Sequence, residues 1–124
     1  MKEFCNEAYY LIFSTLANRT RLAMIDVLKD GRKSTSDISA ALEQKENIIS
    51  QNLKHLEKCA VVLSEGSGKE KLYSLNREII EPLSELLAFH VDKYCPGFKE
   101  CIPAEKLRAH MKAEAAKITY IEHE

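Results

Sequence analysis

The sequence contains no tryptophan, only four glycines and three prolines, and a net charge of only −1. So few chain-breaking residues favour long helices over a fold made of many turns. The near-neutral charge is unusual for a protein that binds nucleic acid. It does not exclude that class, because attraction to phosphate depends on where the positive charges lie.

Targeting and membrane-spanning segments are also missing. No stretch approaches the ~18 apolar residues of a membrane-spanning helix. The first ten residues carry acidic side chains and lack the apolar core of a secretory signal. We therefore expect a cytoplasmic protein with no membrane partner. In that compartment its four cysteines should be mostly thiols.

The motifs of common enzymes are absent. The chain has no glycine-rich phosphate loop, no H-E-x-x-H, and no Ser/His/Asp set at a recognisable spacing. Cys95 and Cys101 are too far apart for the C-x-x-C of a thiol oxidoreductase. We expect no enzymatic activity.

Apolar residues at helical spacing predict four helices in the first half of the chain. The first runs from about Lys2 to Leu16. The second follows the N-cap Asn18, with an apolar stripe of Leu22, Ile25 and Leu28, and ends near Gly31. Ser36 is expected to cap a short third helix, and the fourth spans about Glu46–Cys59. Only a short polar link, residues 43–45, separates the last two, which is typical of a helix-turn-helix.

After residue 60 the pattern changes to that of a β-hairpin. Val61–Leu63 is β-branched and apolar, and residues 66–68 form a glycine-bearing turn. Charged and apolar residues then alternate over Lys69–Leu75. A fifth helix is expected over about Arg77–Tyr94, and Pro103 can open a last one. The prediction is a mainly α fold with a small β-hairpin. We expect residues 1–102 to form one domain, with residues 103–124 as a helical extension of it.

The fourth helix has one apolar and one polar face. Ile49, Leu53, Leu56 and Ala60 fall together and should face the core. The opposite side is rich in amides, hydroxyls and amines: Asn47, Ser50, Gln51, Lys54 and Lys58. Asparagine and glutamine can hydrogen-bond adenine in two places, and lysine reaches phosphate or guanine. This face therefore predicts a helix that reads double-stranded DNA, although a merely solvated polar face remains an alternative.

The hairpin follows directly after that helix, where it can lie along neighbouring phosphates as a wing. Ser67, Lys69 and Lys71 are suited to contact the DNA backbone there, which positions the protein without reading sequence. The alternative is an ordinary polar hairpin that covers the core. The order of helix-turn-helix and wing favours DNA.

Three segments resemble the ArsR/SmtB family of regulators. Phe13–Leu22 is similar to its opening motif F-x-x-L-[AS]-[DN]-x-T-R-L, Ile49–Leu56 to V-S-x-H-L-x-x-L, and Lys71–Leu75 to the Y-x-L close of its wing. The resemblance covers about residues 4–95. It implies that residues 1–102 are a winged helix-turn-helix DNA-binding and dimerisation domain. The homodimer would pair through its first and fifth helices and bind a palindromic operator. Most such proteins are repressors released by a ligand. Asn52, where many members have histidine, counts among the candidate DNA contacts.

The sequence offers several candidates for the ligand that would release such a repressor from DNA. Ser34 and Ser36 occupy the positions of the family's C-x-C metal site, and hydroxyls are poor ligands for soft metals. His90 and Asp92 do not complete the family's other site, and His90 is expected at the dimer interface. Cys95 and Cys101, with Cys5, could offer three thiolates to a soft metal or metalloid such as arsenite.

Two other interpretations of the cysteines stay open. Cys95 and Cys101 could form a reversible disulfide, or they could be structural, as we expect of Cys59. Two alternative functions also remain: a winged helix that binds protein rather than DNA, and a DNA-binding regulator with no small-molecule ligand.

Overall fold

The computed structural model describes residues 5–68 and 71–94, which divide into two compact units. The first unit ends at Leu75 and the second begins at Asn76. The elements in these residues are α1 (Asn6–Leu16), α2 (Arg19–Leu28), α3 (Thr35–Leu42), α4 (Glu46–Lys58), β1 (Val62–Glu65), β2 (Leu72–Leu75) and α5 (Arg77–Tyr94). The predicted mainly helical fold with one hairpin is confirmed. The predicted helix after Pro103 lies outside the described residues.

The core of the first unit is formed by α2, α3, α4 and the start of β1. Its largest fully buried side chains are Met24, Ile38, Ile49, Leu53, Leu56, Val61 and Val62. Each helix contributes an apolar stripe, and removing these stripes from water is the main favourable term in folding. The packing of α3 and α2 against α4 therefore fixes which face of α4 points outward.

Two predicted core positions are wrong. Leu22 is 43% exposed, whereas Ala23 and Met24 are buried. The stripe of α2 is thus Ala23, Met24, Val27 and Leu28, with Ile25 only half-buried. Ala60 is exposed because α4 ends at Lys58, and the residue adopts a left-handed conformation (φ 57°) that turns the chain toward β1.

The predicted cap of α3 is also wrong: Ser34, not Ser36, caps this helix. The Ser34 hydroxyl accepts the backbone N–H of Asp37, and the Asp37 carboxylate accepts the backbone N–H of Ser34 (both 3.1 Å). This reciprocal capping box satisfies two backbone donors, whereas Ser36 has no acid three residues later to complete one. The predicted cap of α2 is confirmed, since Asn18 Oδ1 accepts the N–H of Arg21.

The strands form an antiparallel hairpin in which Val62 pairs with Leu75 and Ser64 with Tyr73. Tyr73 is buried, and its backbone exchanges two hydrogen bonds with Lys33, just before α3 (2.8 and 3.0 Å). The base of the hairpin is therefore tied to the helix-turn-helix.

The second unit consists, in its described part, of α5, whose bounds match the prediction. Asn76 Oδ1 accepts the backbone N–H of Glu78 and caps the helix. Leu86, Leu87 and Phe89 are more than half exposed. Among the described helices, none is long and apolar enough to cross a membrane.

Candidate nucleic-acid interface

The turn between α3 and α4 is short and fixed by backbone geometry. Glu43 ends α3 in a left-handed conformation (φ 52°), and the backbone N–H of Gln44 donates to Ser39 O at 3.2 Å. The Ser39 hydroxyl donates to Gln44 O, and the Ser36 hydroxyl donates to Glu46 Oε1 at 2.7 Å. These bonds connect α3 to the start of α4, which is the helix-turn-helix arrangement predicted from the sequence.

The outer face of α4 carries most of the predicted base-reading residues. Ile49, Leu53 and Leu56 are completely buried, which leaves Asn47, Gln51, Lys54 and Lys58 exposed on the opposite side. Ser50 lies at the edge of this face and is half-buried. The structure thus brings four of the predicted residues together, with Ser50 beside them. A helix with such a face fits the major groove of B-DNA.

His55 belongs to the same region but was not predicted as a site residue. It is exposed and lines a shallow open groove along α4 together with Gln51, Lys54, Glu57 and Lys58. It lies four residues after Gln51, one helical turn away. That spacing was the signal that could have found it.

Asn52 is placed differently from the other predicted contacts. It is half-buried, and its Oδ1 accepts a hydrogen bond from Arg21 Nε at 2.9 Å. Its Nδ2 donates to Ile48 O at 2.9 Å. Both ends of the amide are therefore engaged within the protein, away from the outer face.

Of the three predicted wing residues, the structure describes Ser67 and Lys71. Ser67 is exposed in the turn, between Gly66 and Gly68, which both have positive φ. Lys69 lies outside the described residues. Lys71 is half-buried: its Nζ lies 3.8 Å from Glu57 Oε1 and 5.4 Å from the centroid of the Tyr73 ring. Lys71 therefore connects the wing to α4.

The start of α3 is rich in acceptors of hydrogen bonds. The backbone and side-chain hydrogen bonds from Ser34 lower the pKa of Asp37 below the ordinary aspartate value. Asp37 and Glu46 place carboxylates at this end of α3, close to Lys33, whereas Lys54 and Lys58 place positive charge further along the outer face of α4.

Of the predicted thiol ligands, only Cys5 is described. It is the N-cap residue of α1 and is exposed. Cys95 and Cys101 lie outside the described residues. Within residues 5–68 and 71–94, no group of three or more His, Cys, Asp or Glu side chains could hold a metal ion.

Comparisons with known proteins agree with this geometry. Residues 18–64, from α2 into β1, match the family model of bacterial regulatory proteins of the arsR family. No curated protein matches the chain significantly in sequence.

Several solved structures share the fold. The homodimeric winged helix-turn-helix DNA-binding domain Mb0332 of Mycobacterium bovis is 24% identical, with a TM-score of 0.62 over 71% of this chain and 82% of that one. HlyU of Vibrio cholerae is 24% identical, with a TM-score of 0.60 over 76% and 99%. Rv0081 of M. tuberculosis is 23% identical, with a TM-score of 0.61 over 73% and 96%. Residues 18–64 are thus similar to the arsR family of bacterial regulatory proteins, and the described fold is that of a winged helix-turn-helix domain.

Proposed function

We propose that the chain acts as a homodimeric repressor whose two α4 helices read a palindromic operator. The observation that carries the proposal is the outer face of α4, where Asn47, Gln51, Lys54 and Lys58 are exposed opposite a fully buried apolar face. A plain solvated helix needs only charge, whereas amides paired with amines can distinguish base edges. The proposal locates the protein in the cytoplasm, together with the DNA it binds.

The chemistry of each side chain determines whether it is assigned to base edges or to phosphates. Gln51 and Asn47 are assigned to base edges, because an amide can donate and accept at the same adenine. Lys54 and Lys58 are assigned to phosphates or guanine, and Ser67 with Lys69 to the backbone beside the wing. Ser50, at the edge of the face, can reach phosphate.

Dimerisation is proposed through α1 and α5. Tyr10 and Phe13 on α1 are 73% and 60% exposed, and Leu86 on α5 is 62% exposed. Large apolar side chains left in water on a helix are typical of an interaction surface. A two-fold symmetric dimer presents two recognition helices to successive major grooves, which requires half-sites about one helical turn apart.

The signal is proposed to act on thiols. Cys95 and Cys101 are separated by five residues, and Cys5 stands at the start of the proposed interface helix α1. Three thiolates suit a trigonal soft ion such as As(III). Oxidation of Cys95 and Cys101 to a disulfide is the competing proposal. Either event would favour a dimer in which the recognition helices no longer match the operator, with a coupling of ~1–3 kcal/mol.

The test of DNA reading is a titration of reduced protein on fluorescent promoter DNA, followed by anisotropy. Gln51→Ala should weaken operator binding by about 1–3 kcal/mol per half-site and relax the preference at one base position. Gln44→Ala, in the turn, is the matched glutamine control and should bind as the parent does. Equal binding by both variants would remove Gln51 from the base contacts. Binding that is absent at all salt concentrations would favour a winged helix that binds protein.

The test of the signal adds arsenite, Cd(II), Zn(II) or a mild oxidant to the preformed complex. Release by one of these, reversed by a dithiol or reductant, is expected for the parent. The variant Cys95→Ser/Cys101→Ser should stay bound, and Cys59→Ser is the control that should still respond. If the double variant responds as the parent does, the thiol proposal is wrong.

A further inference from the structure

One continuous set of hydrogen bonds connects α1, α2 and α4. The Arg21 guanidinium, on α2, donates from Nη1 to Thr15 O at the end of α1 (3.2 Å) and from Nε to Asn52 Oδ1 on α4 (2.9 Å). The Asn52 amide donates in turn to Ile48 O (2.9 Å). The Cys59 thiol, at the end of α4, donates to Thr15 Oγ1 at 3.3 Å.

The four side chains are partly or fully shielded from water. Thr15 is 4% exposed, and Arg21, Asn52 and Cys59 are half-buried. A hydrogen bond from a charged donor is stronger than a neutral one, and removing one partner leaves the other unsatisfied in a partly desolvated place. The planar guanidinium is suited to bridge two fixed acceptors, which a lysine amine cannot reproduce with the same geometry.

The bridge from Arg21 reaches α4 at the boundary between its buried side and its outer face. Asn52 lies between the buried side, marked by Leu53, and the outer face, marked by Gln51. The Asn52 amide already has a partner at each end, Arg21 at Oδ1 and the backbone oxygen of Ile48 at Nδ2. Arg21 thereby links this side of α4 to α2 and to the end of α1.

We propose that Arg21 and Asn52 are positioning residues that orient the outer face of α4 toward the DNA groove and do not themselves contact DNA. The inference rests on the proposed base-reading role of α4. It assigns to Asn52 a function other than the base contact expected from the sequence. It also makes α1, the proposed dimer helix, directly connected to the recognition helix through Thr15.

The test is a double-mutant cycle on operator binding. Arg21→Lys keeps the charge but loses the bridge, and Asn52→Ala removes its acceptor. Each should weaken operator binding about tenfold, as expected for a lost charge-assisted hydrogen bond. The double variant should be no more than about twofold weaker than the worse single variant, because both changes break one interaction. Binding to random-sequence DNA should stay within about twofold of the parent, since no phosphate contact is lost.

Two controls separate positioning from contact. Asn47→Ala, on the outer face, and Arg21→Lys should have independent effects, so that their fold losses of affinity multiply in the double variant. The exposed Arg77→Lys should bind as the parent does. Multiplicative effects of Arg21→Lys and Asn52→Ala would overturn the proposal, as would parental binding by Arg21→Lys. A loss in Asn52→Ala confined to one operator base pair would also overturn it, because that is the signature of a base contact.

A measurement on the unmodified protein covers the case in which a variant does not fold. The Arg21 Nε–H resonance should be protected from exchange in the free protein and should remain so when operator DNA is added. Its loss of protection in the complex would mean that Asn52 leaves Arg21 for the DNA, which refutes the proposal. If the parent binds no DNA at all, the proposed function fails instead, and protection in the free protein alone would establish only a structural bridge.

Discussion

The salt dependence of DNA binding gives a quantitative test of the phosphate contacts proposed for the two lysines on α4. Lys54 and Lys58 are exposed on the outer face, and neither forms an ion pair with another residue in the described part of the chain. Each phosphate neutralised by a lysine contributes about 0.9 to the slope of log affinity against log salt. A symmetric dimer uses each lysine twice, so Lys58→Met should reduce the magnitude of the slope by about 1.8.

This difference is large enough to measure by anisotropy. Between 50 and 200 mM salt, the parent should lose about twelvefold more affinity than Lys58→Met, and Lys54→Met should behave alike. Lys29→Met removes the same charge from the end of α2, where Lys29 lies 3.5 Å from Asp26, and should leave the slope unchanged. Equal slopes for the parent, Lys54→Met and Lys58→Met would refute the assignment of these lysines to phosphate.

Further predictions concern stability and assembly. Leu53→Ala, at a fully buried position, should lower the free energy of unfolding by about 2–5 kcal/mol in urea titrations, and a loss below ~1 would contradict the core assignment. Ser34→Ala should lower the free energy of unfolding by ~1 kcal/mol through loss of the cap, whereas Ser36→Ala, inside α3, should lower it clearly less. Because its folded-state pKa is lowered, ionised Asp37 stabilises the fold above about pH 4, and this contribution disappears as the pH falls through that pKa. In Asp37→Asn, the free energy of unfolding should therefore fall less steeply as the pH is lowered below about 4. An unchanged pH dependence would contradict the capping box. Phe13→Glu should shift the protein from dimer to monomer in sedimentation, and a persistent dimer would exclude this face of α1.

Much of the fold could be predicted because its elements have clear periods. The bounds of α5 and the start of α4 were predicted to the residue, since polar and apolar positions alternate with helical spacing there. The hairpin followed from β-branched residues around a glycine turn. The outer face of α4 followed from the same helical geometry, and four of its predicted residues are exposed together.

The cap of α3 and the surroundings of Asn52 could not be predicted, because both depend on contacts that spacing alone does not contain. Ser34 and Ser36 were both plausible caps, and the choice depended on the reciprocal bond with Asp37. The hydrogen bond at Asn52 Oδ1 comes from Arg21, which is 31 residues away in sequence. Helical phase places Asn52 at the side of α4 but does not identify its partner, and its predicted contact with DNA stays a prediction.

The most direct test of the account is binding of the reduced, unmodified protein to DNA from its own promoter, measured by fluorescence anisotropy from 50 to 300 mM salt. We predict specific binding with a stoichiometry of one dimer per palindromic site and an affinity that falls steeply with salt. We also predict weaker binding to random-sequence DNA of equal length. Equal affinity for both sequences, or no salt-dependent binding to any promoter fragment, would contradict the proposal that α4 reads DNA.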